Sequence, residues 1–350
     1  MKYYLKEEFL HDVNAKNAGN KARNDVESIV KEEGYHPLVL SVDNWYQMST
    51  LAAQRHKAKA FGQALDQLKQ GDELLIQFPM LHHSFFSTHL VKKAQKRGIK
   101  VYLLIHDLEV LRHANMTSLP LKHRIRMYLQ EASFLKTADG IIAHNPVMKS
   151  VLVDKGIAED KIVSLGIFDY MIPDYQEKDG LSKDQPIIVA GNLAQEKAGY
   201  LYALPAKPAY NLYGVGFDES RALENETYFG SFLPDELPAA LEGGFGLVWD
   251  GDSAETCNGV FGEYLRYNNS HKASLYLASG FPLVVWKQSA LSHFVLEKGC
   301  GIAVESLHDL KETIDNLSDA DYQDLVDNAK RVGQEIRDGH YLKTALNHLS

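Results

Sequence analysis

Short apolar segments alternate with amphipathic segments along most of the chain, and this alternation constrains the fold more than any other feature. Four segments before residue 150 are predicted as strands: HPLVLSV, DELLIQF, KVYLLIHD and DGIIAHN. A stretch with helical periodicity precedes each of them, over 18–33, 50–70, 84–97 and 121–137. Strands that are apolar on both faces and alternate with helices predict a parallel sheet covered on both sides.

The alternation breaks at 167–185, a polar stretch that contains Pro173 and Gly180 and predicts a linker. It then restarts in six strand-like segments: PIIVAGN, YNLYGVG, TYFGSF, FGLVWDG, PLVVW and GIAVES. A chain of 350 residues has room for two domains. Because ligands bind at the carboxyl ends of parallel strands, we predict an α/β protein with two Rossmann-like domains facing a cleft. The predicted parts are a first domain over 1–170, a linker over 171–184, a second domain over 185–330 and a helical segment over 331–350.

Composition excludes several classes of protein. The net charge of −9 disfavours a nucleic-acid binder. Two cysteines, Cys257 and Cys300, support neither a disulfide framework nor a zinc site. The sequence has no run long enough to cross a membrane, and MKYYLKEEFL carries charges where a signal peptide would be apolar, so we expect a cytoplasmic protein. No GxSxG, GxxxxGK[ST] or HExxH motif is present.

The segment YNNSHKASLYLASGFPLVVW, residues 267–286, places a small polar cluster before an apolar stretch. Asn268 or Asn269 is predicted to cap a buried helix that runs to about Ser279, where Gly280 ends it. The N-terminus of a helix offers free N–H groups and about half a positive charge. With Ser270 and Lys272 in the first turn, we predict an anion site that fits a diphosphate. The alternative is that Lys272 only reaches solvent.

The turn after the first predicted strand of the second domain is the second candidate wall of this site. Gly191 allows a ligand to approach the backbone, and Asn192 can cap a helix or bind a ligand; an ordinary strand-to-helix turn explains the pair equally well. Lys197 can face an anion or solvent, and Phe232 can stack on a base or belong to the core. Asp250 and Asp252 have the spacing of a metal-binding aspartate pair, a weak signal that we discount.

Two features of the first half are also candidates. VNAKNAGNKARNDVESI, residues 13–29, predicts a small-residue loop that opens a helix but lacks GxGxxG. His106 and Asp107 follow a strand at the sheet edge where ligands bind. A hydroxyl group that accepts a transferred group must lose its proton, and either side chain can remove it; a loop-capping aspartate is the alternative.

Several of these stretches, in this order along nearly the whole chain, resemble the glucosyltransferase 3 family of GT-B glycosyltransferases, which extends glycans on serine-rich-repeat adhesins. The matching stretches are GNKARNDV, IHDLE, AGN, PDEL, GGFGLVWDG and SHKASLYLASGFPLVV. Bacterial galactofuranosyltransferases share much of this pattern.

The resemblance implies a UDP-sugar donor held mainly by the second domain, an acceptor on the side of the first, no metal, and a homo-oligomer, a dimer or a tetramer. The implied nucleotide-binding residues are Ala18, Gly19, Gly191, Asn192, Lys197, Phe232, Ser270, His271, Lys272, Ala273, Ser274 and Leu275. Lys272 would neutralise the departing diphosphate. The resemblance does not fix the catalytic base; Asp107 is the candidate because of its position, or it could orient His106.

We therefore expect a hexosyltransferase that moves glucose or GlcNAc from a UDP-sugar to a GlcNAc-modified serine-rich-repeat glycoprotein. A galactofuranosyltransferase of cell-surface polysaccharide synthesis is the first alternative. The others are a non-catalytic sugar-binding partner in a glycosylation complex and a UDP-sugar epimerase, which would need no acceptor.

Overall fold

The computed structural model describes residues 1–8, 18–43, 45–113 and 131–349. These residues form two compact units. The first comprises the described residues of Met1–Asn14, Arg23–Leu165 and Leu342–Ser350, and the second those of Ala15–Ala22 and Gly166–Tyr341. The boundary between the units thus falls near Gly166, and each unit has its own sheet.

The first unit is built on a six-stranded sheet in which every neighbouring pair is parallel. Its strands are β1 (Lys2–Glu8), β2 (His36–Ser41), β3 (Glu73–Phe78), β4 (Lys100–Ile105), β5 (Gly140–Ala143) and β6 (Ile162–Ser164). They lie in the order β2-β1-β3-β4-β5-β6. The short strand β6 was not predicted, because three residues are too few to show a period.

Helices connect these strands, as the alternating pattern predicted. They are α1 (Ala18–Glu32), α2 (Thr50–Leu65), α3 (Ser87–Lys96), α4 (Glu109–Arg112), α5 (131–137) and α6 (Pro146–Asp154). The predicted helix over 121–137 is described only from residue 131 onward. Asn145 caps α6 by accepting a hydrogen bond from the backbone N–H of Met148, and Pro146 occupies the first turn, where its missing N–H costs nothing.

The second unit is built on another parallel six-stranded sheet. Its strands are β7 (Ile187–Asn192), β8 (Tyr210–Val215), β9 (Glu226–Tyr228), β10 (Phe245–Val248), β11 (Leu283–Trp286) and β12 (Gly301–Val304). They lie in the order β12-β11-β10-β7-β8-β9. The chain moves outward from β7 to β9, returns to β10 on the other side of β7, and moves outward again. The gap between the carboxyl ends of β7 and β10 is therefore the topological switch point, where doubly wound sheets bind ligands.

Most of the helices that follow β7 in the chain are short. The last helix, α14, begins in the second unit, but its residues from Leu342 onward belong to the first unit. The helices after β7 are α7 (Gln195–Ala198), α8 (Leu237–Ala240), α9 (Gly259–Tyr264), α10 (His271–Ala278), α11 (Leu291–Lys298), α12 (Leu310–Asp315), α13 (Asp319–Arg337) and α14 (His340–Leu349). Among the described residues, no helix is long and apolar enough to cross a membrane.

Helix α10 packs directly on the sheet because β10 has no side chain at the point of contact. A Cβ placed on Gly246 would lie 2.2 Å from the ring of Tyr276. The Tyr276 hydroxyl accepts a hydrogen bond from the Ala190 N–H on β7, at 2.7 Å. The apolar side chains of α10 are buried between this sheet and α13, which confirms the prediction of a buried helix.

Candidate active site

Three segments meet at the switch point of the second sheet: the turn after β7, the loop after β10 and the N-terminus of α10. The backbone joins the first two. The Gly251 N–H donates to the Lys197 carbonyl at 2.8 Å, and the Tyr200 N–H donates to the Gly251 carbonyl at 3.1 Å. These bonds fix the loop after β10 against the turn after β7.

The N-terminus of α10 is capped by Ser270, whose hydroxyl accepts a hydrogen bond from the Lys272 N–H at 3.4 Å. The prediction that Asn268 or Asn269 would be the cap was wrong. The side chain of Asn269 instead donates to the carbonyl of Gly166 at 2.6 Å. Its amide therefore anchors the segment before the helix, and the cap lies one residue after Asn269 and two after Asn268. Gly280, with φ of +86°, ends the helix region as predicted.

Lys272 does not extend into solvent. Its Nζ lies 2.7 Å from Asp250 Oδ1 and 3.2 Å from the carbonyl of Trp249. Only about a tenth of each charged side chain is exposed, 10% for Lys272 and 7% for Asp250. Lys272 thus spans from α10 to the end of β10, and its charge at the switch point is balanced by a carboxylate.

Burial lowers the pKa of Lys272 from its usual value because it removes the ammonium from water. The Asp250 carboxylate acts in the opposite direction and raises this pKa, while the positive charge of Lys197 lowers it further. Asp250 therefore keeps a proton on a lysine that would otherwise lose it more readily.

Asp250 is the residue that sequence reasoning missed. It was considered only as half of a metal-binding pair with Asp252. In the structure, Asp252 Oδ1 accepts from Asn258 Nδ2 at 2.6 Å, so the two aspartates have different partners. No group of three or more His, Cys, Asp and Glu side chains in the described ranges could hold a metal ion. The sequence could have indicated a role for Asp250, because it closely follows a buried strand, at the sheet edge where ligands bind.

Gly191 and Asn192 lie where they were predicted, at the carboxyl end of β7. Gly191 has φ of +119°, a backbone conformation that favours glycine, and a Cβ there would lie 3.6 Å from Lys272 Cε. Asn192 Oδ1 accepts from the Ala194 N–H at 2.9 Å. Both residues therefore shape the turn beside Lys272, and a role in ligand binding stays a prediction.

Two predicted binding residues lie farther along this edge. The ammonium of Lys197 lies 5.2 Å from the centre of the Phe261 ring, which the lysine charge faces. Phe232 is half-buried, and its ring lies 6.1 Å from that of Tyr213 on β8. Phe232 is thus a partly accessible aromatic side chain on the β8 side of the switch point.

The remaining predicted residues of α10 form its first two turns. The His271 ring packs against Phe168 with ring centres 4.3 Å apart. Ala273 and Ser274 are fully buried, and Leu275 is 6% exposed, so their side chains belong to the packing of the helix. The N–H of Ala273 already donates to the carbonyl of Ser270 at 3.0 Å. A role of Ala273, Ser274 and Leu275 in ligand binding stays a prediction.

In the first unit, His106 and Asp107 follow β4. His106 Nε2 lies 2.7 Å from Gln77 Oε1 on β3, and Asp107 Oδ1 forms an ion pair with Arg112 at 2.6 Å. The side chain of Asp107 is 38% exposed, which a proton acceptor for a bound hydroxyl requires. Ala18 and Gly19 are the first two residues of α1, and their side chains lie outside the described part of the chain.

Comparison with solved structures defines the class of the fold. The chain is similar to sucrose-phosphate synthase from Thermosynechococcus elongatus, with a TM-score of 0.65 and 12% identity. The similarity covers 99% of this chain and 98% of the synthase chain. The chain is also similar to HepE of Anabaena, solved in complex with UDP, over 100% and 99% of the two chains, with a TM-score of 0.54 and 13% identity. Together with the two parallel sheets, these similarities define the GT-B fold of glycosyltransferases.

Sequence comparison then defines the family. The models for the N-terminal and C-terminal domains of glucosyltransferase 3-like proteins match residues 2–167 and 187–349. The β-1,6-galactofuranosyltransferase WbbI of Escherichia coli K12 is 33% identical over 97% of each chain. Glucosyltransferase 3 of Streptococcus gordonii is 26% identical over 93% of this chain and 92% of its own. The chain belongs to the glucosyltransferase 3-like family of glycosyltransferases, as its sequence motifs predicted.

Proposed function

We propose that the protein transfers a hexosyl group from a UDP-sugar to a glycan or glycoprotein acceptor, with the diphosphate of the donor held at the mouth of α10. The observation that carries this proposal is the buried Lys272 at the switch point of the second sheet, beside the capped helix N-terminus. Both features attract a diphosphate, and the HepE complex supports UDP as the nucleotide.

The same groups would assist the chemical step. Negative charge grows on the diphosphate as the bond from sugar to phosphate breaks, and the α10 N–H groups with the Lys272 ammonium stabilise that charge. Asp250 holds Lys272 at the site and favours its charged form. Asp107 stays the candidate for the proton acceptor, and its exposed carboxylate is suited to that role.

Two donors have support from the relatives. Similarity to WbbI, at 33% identity, favours transfer of galactofuranose. Similarity to the glucosyltransferase 3 proteins, at 26% and 25% identity, favours transfer of glucose. The sequence motifs also allow GlcNAc as the transferred sugar, and they favour a GlcNAc-modified serine-rich-repeat glycoprotein as the acceptor. Release of UDP from UDP-galactofuranose, UDP-glucose and UDP-GlcNAc, each with and without acceptor, separates these donors and distinguishes transfer from epimerisation.

The test of the diphosphate site is calorimetric titration with UDP and with uridine. A Lys272→Ala variant alone would leave Asp250 buried without its partner, which costs about 3–5 kcal/mol. The double variant Lys272→Met with Asp250→Asn avoids this. Because a hydrogen bond to a charged group contributes about 1.5–3 kcal/mol, we expect UDP affinity to fall at least about tenfold, whereas uridine binding should not change.

Lys311→Ala removes an exposed lysine of the same unit and serves as the matched control. If the double variant folds and binds UDP as tightly as the wild type, the diphosphate site is not at Lys272.

A further inference from the structure

Helices α2 and α3 of the first unit present exposed apolar side chains and positive charges on one continuous part of the surface. The two helices pack against each other. The Phe85 N–H donates to Gln54 Oε1 at 2.9 Å, which joins the start of α3 to the first half of α2. Each helix follows a strand of the parallel sheet, so both begin at the same edge of that sheet. Residues 45–65 and 85–96 are called the α2–α3 surface below.

Large apolar side chains are exposed at the end of this surface where the two helices begin. Leu51, in the first turn of α2, is 53% exposed, and Phe86, which precedes α3 directly, is 42% exposed. The other members of this group are Tyr46, Met48 and Phe85. Single exposed apolar residues are ordinary, whereas a group of them at the start of two adjacent helices indicates an interaction surface.

The charged residues of both helices are all positive. The sequences TLAAQRHKAKAFGQAL and STHLVKKAQK contain six lysines and arginines but no aspartate or glutamate, although the whole chain has a net charge of −9. Five of the six are exposed: Arg55, Lys59, Lys92, Lys93 and Lys96.

These five cations have no acidic partner within the described ranges. The sixth, Lys57, is 7% exposed and lies 3.7 Å from the centre of the Trp45 ring. The carboxylate of Asp66, which follows α2, is paired with Arg97 at 3.1 Å and leaves the exposed cations unbalanced. The α2–α3 surface is therefore a positive region on an acidic protein, and such a region attracts an anionic surface.

The combination of charge and apolar side chains favours a lipid bilayer over a nucleic acid. Leu51, Arg55 and Lys59 are spaced four residues apart, so they lie along one side of α2. On α3, the exposed lysines follow Phe86 along the helix. A bilayer with anionic lipids gains from both features, because apolar side chains enter the boundary of the headgroups while the cations approach the lipid phosphates. Nucleic-acid phosphates would contact only the cations.

We propose that the α2–α3 surface binds the surface of an anionic lipid bilayer. The lysines and arginines contact the lipid phosphates, and the apolar side chains at the start of both helices enter the headgroup region. This binding is separate from the transfer reaction and does not depend on which sugar is donated.

The test is cosedimentation of the full chain with vesicles of phosphatidylcholine alone and of phosphatidylcholine with phosphatidylglycerol. We expect binding to the anionic vesicles only, and its loss at high salt, because salt screens exposed charges. Each lysine near an anionic surface contributes about fivefold in affinity. The double variant Lys92→Gln with Lys93→Gln should therefore bind roughly 25-fold more weakly. Leu51→Ser should bind about tenfold more weakly, because it removes an apolar group from the boundary.

Two controls carry the same changes at other exposed positions. Lys136→Gln with Lys207→Gln removes the same charge, and Leu296→Ser changes a leucine that is 57% exposed in the second unit. Both controls should bind vesicles as the wild type does. Circular dichroism shows whether each variant is folded, and UDP affinity should be the same in all of them, so that loss of vesicle binding is distinguished from failure of the proposed function.

Four results would overturn the proposal. They are a wild type that does not sediment with anionic vesicles, binding that is equal for both vesicle types and independent of salt, variants that bind as tightly as the wild type, and controls that lose as much affinity as the variants. Tighter binding to a double-stranded DNA fragment, unchanged in Leu51→Ser, would make this a nucleic-acid surface instead. A changed oligomeric state of Leu51→Ser in light scattering would make it a contact between two copies of the chain.

Discussion

Lys272 and Asp250 form a buried pair of opposite charges that are 22 residues apart in sequence. Removing two ions from water is costly, so a buried pair is weak grounds for a role in stability. The pair lies at the switch point, and Lys272 lies in the first turn of α10, where the helix dipole disfavours a cation. This position favours a role in function rather than in stability. Asp250 then acts as a positioning residue through Lys272.

This role makes the pH dependence of nucleotide binding a test of Asp250. Its carboxylate raises the pKa of Lys272, whereas burial and Lys197 lower it. In Asp250→Asn, Lys272 should therefore lose its proton at a lower pH than in the wild type. We expect UDP affinity, measured from neutral to alkaline pH, to decline at a lower pH in the variant. Superimposable profiles of Asp250→Asn and wild type would contradict the role of Asp250.

His144, which follows β5 in the first unit, should make the free energy of unfolding depend on pH. Full burial lowers its pKa from 6.5 to about 3, although hydrogen bonds with the backbone of Ile105 and His106 oppose this shift. The folded state thus keeps a neutral imidazole where the unfolded chain takes up a proton. The stability from this group is present above pH 6.5 and is lost as the pH falls toward 3. At about 1.4 kcal/mol per pKa unit, the loss reaches at most about 5 kcal/mol.

Urea unfolding at neutral and at mildly acidic pH checks this expectation. His144→Gln should show a smaller loss of stability on acidification than the wild type, and His36→Gln, at an exposed histidine, should follow the wild type. Equal acid sensitivity of His144→Gln and the wild type would show that other groups govern the acid response.

At the scale of elements, the geometry of the site depends on how closely α10 approaches its sheet. Gly246 on β10 leaves room for the Tyr276 ring, and the Tyr276 hydroxyl binds the backbone of β7. The helix mouth, β7 and β10 are therefore held in one arrangement by the packing of Tyr276. Interiors are close-packed, so even one methyl group is felt there.

Gly246→Ala should destabilise the second unit by more than about 1–3 kcal/mol, the usual cost of overpacking, since its methyl group would overlap the Tyr276 ring. The buried Trp249 and Trp286 report unfolding of this unit by fluorescence. We also expect weaker UDP binding, because α10 must move to admit the methyl group.

Gly62→Ala is the control for Gly246→Ala, and we expect it to raise stability rather than lower it. Gly62 lies inside α2, and a Cβ there would meet only Leu90 Cδ2, at an ordinary 3.7 Å. Alanine favours the helix by about 0.5–1 kcal/mol relative to glycine, so this variant should be more stable in urea unfolding followed by circular dichroism. A destabilised Gly62→Ala would contradict the packing at α2.

At the scale of the whole molecule, the proposal assigns the nucleotide to the second unit. Hydrogen exchange of the full chain should therefore show UDP-dependent protection at the carboxyl ends of β7 and β10 and in the first turn of α10. The loop after β4, with His106 and Asp107, should be little affected by UDP alone. Protection confined to the first unit would reverse the assignment of the two units.

The sequence alone determined the two parallel α/β domains, the buried helix α10 and the family. These follow from local periodicity, from apolar strands between helices and from motifs that are contiguous in the chain. The cap at Ser270 and the strand β6 were not predicted, since three polar residues in a row and a three-residue strand carry no distinguishing pattern.

Only the tertiary structure decided the partner of Lys272. Strand order places the loops after β7 and β10 next to each other, although more than 50 residues of chain separate Asn192 from Asp250. An ion pair between two such segments depends on which strands are neighbours in the sheet. The residues of one loop do not indicate which strand lies next to the strand that carries the loop. The sequence therefore indicated Asp250 only as half of a metal pair, whereas the fold makes it the counterion of Lys272.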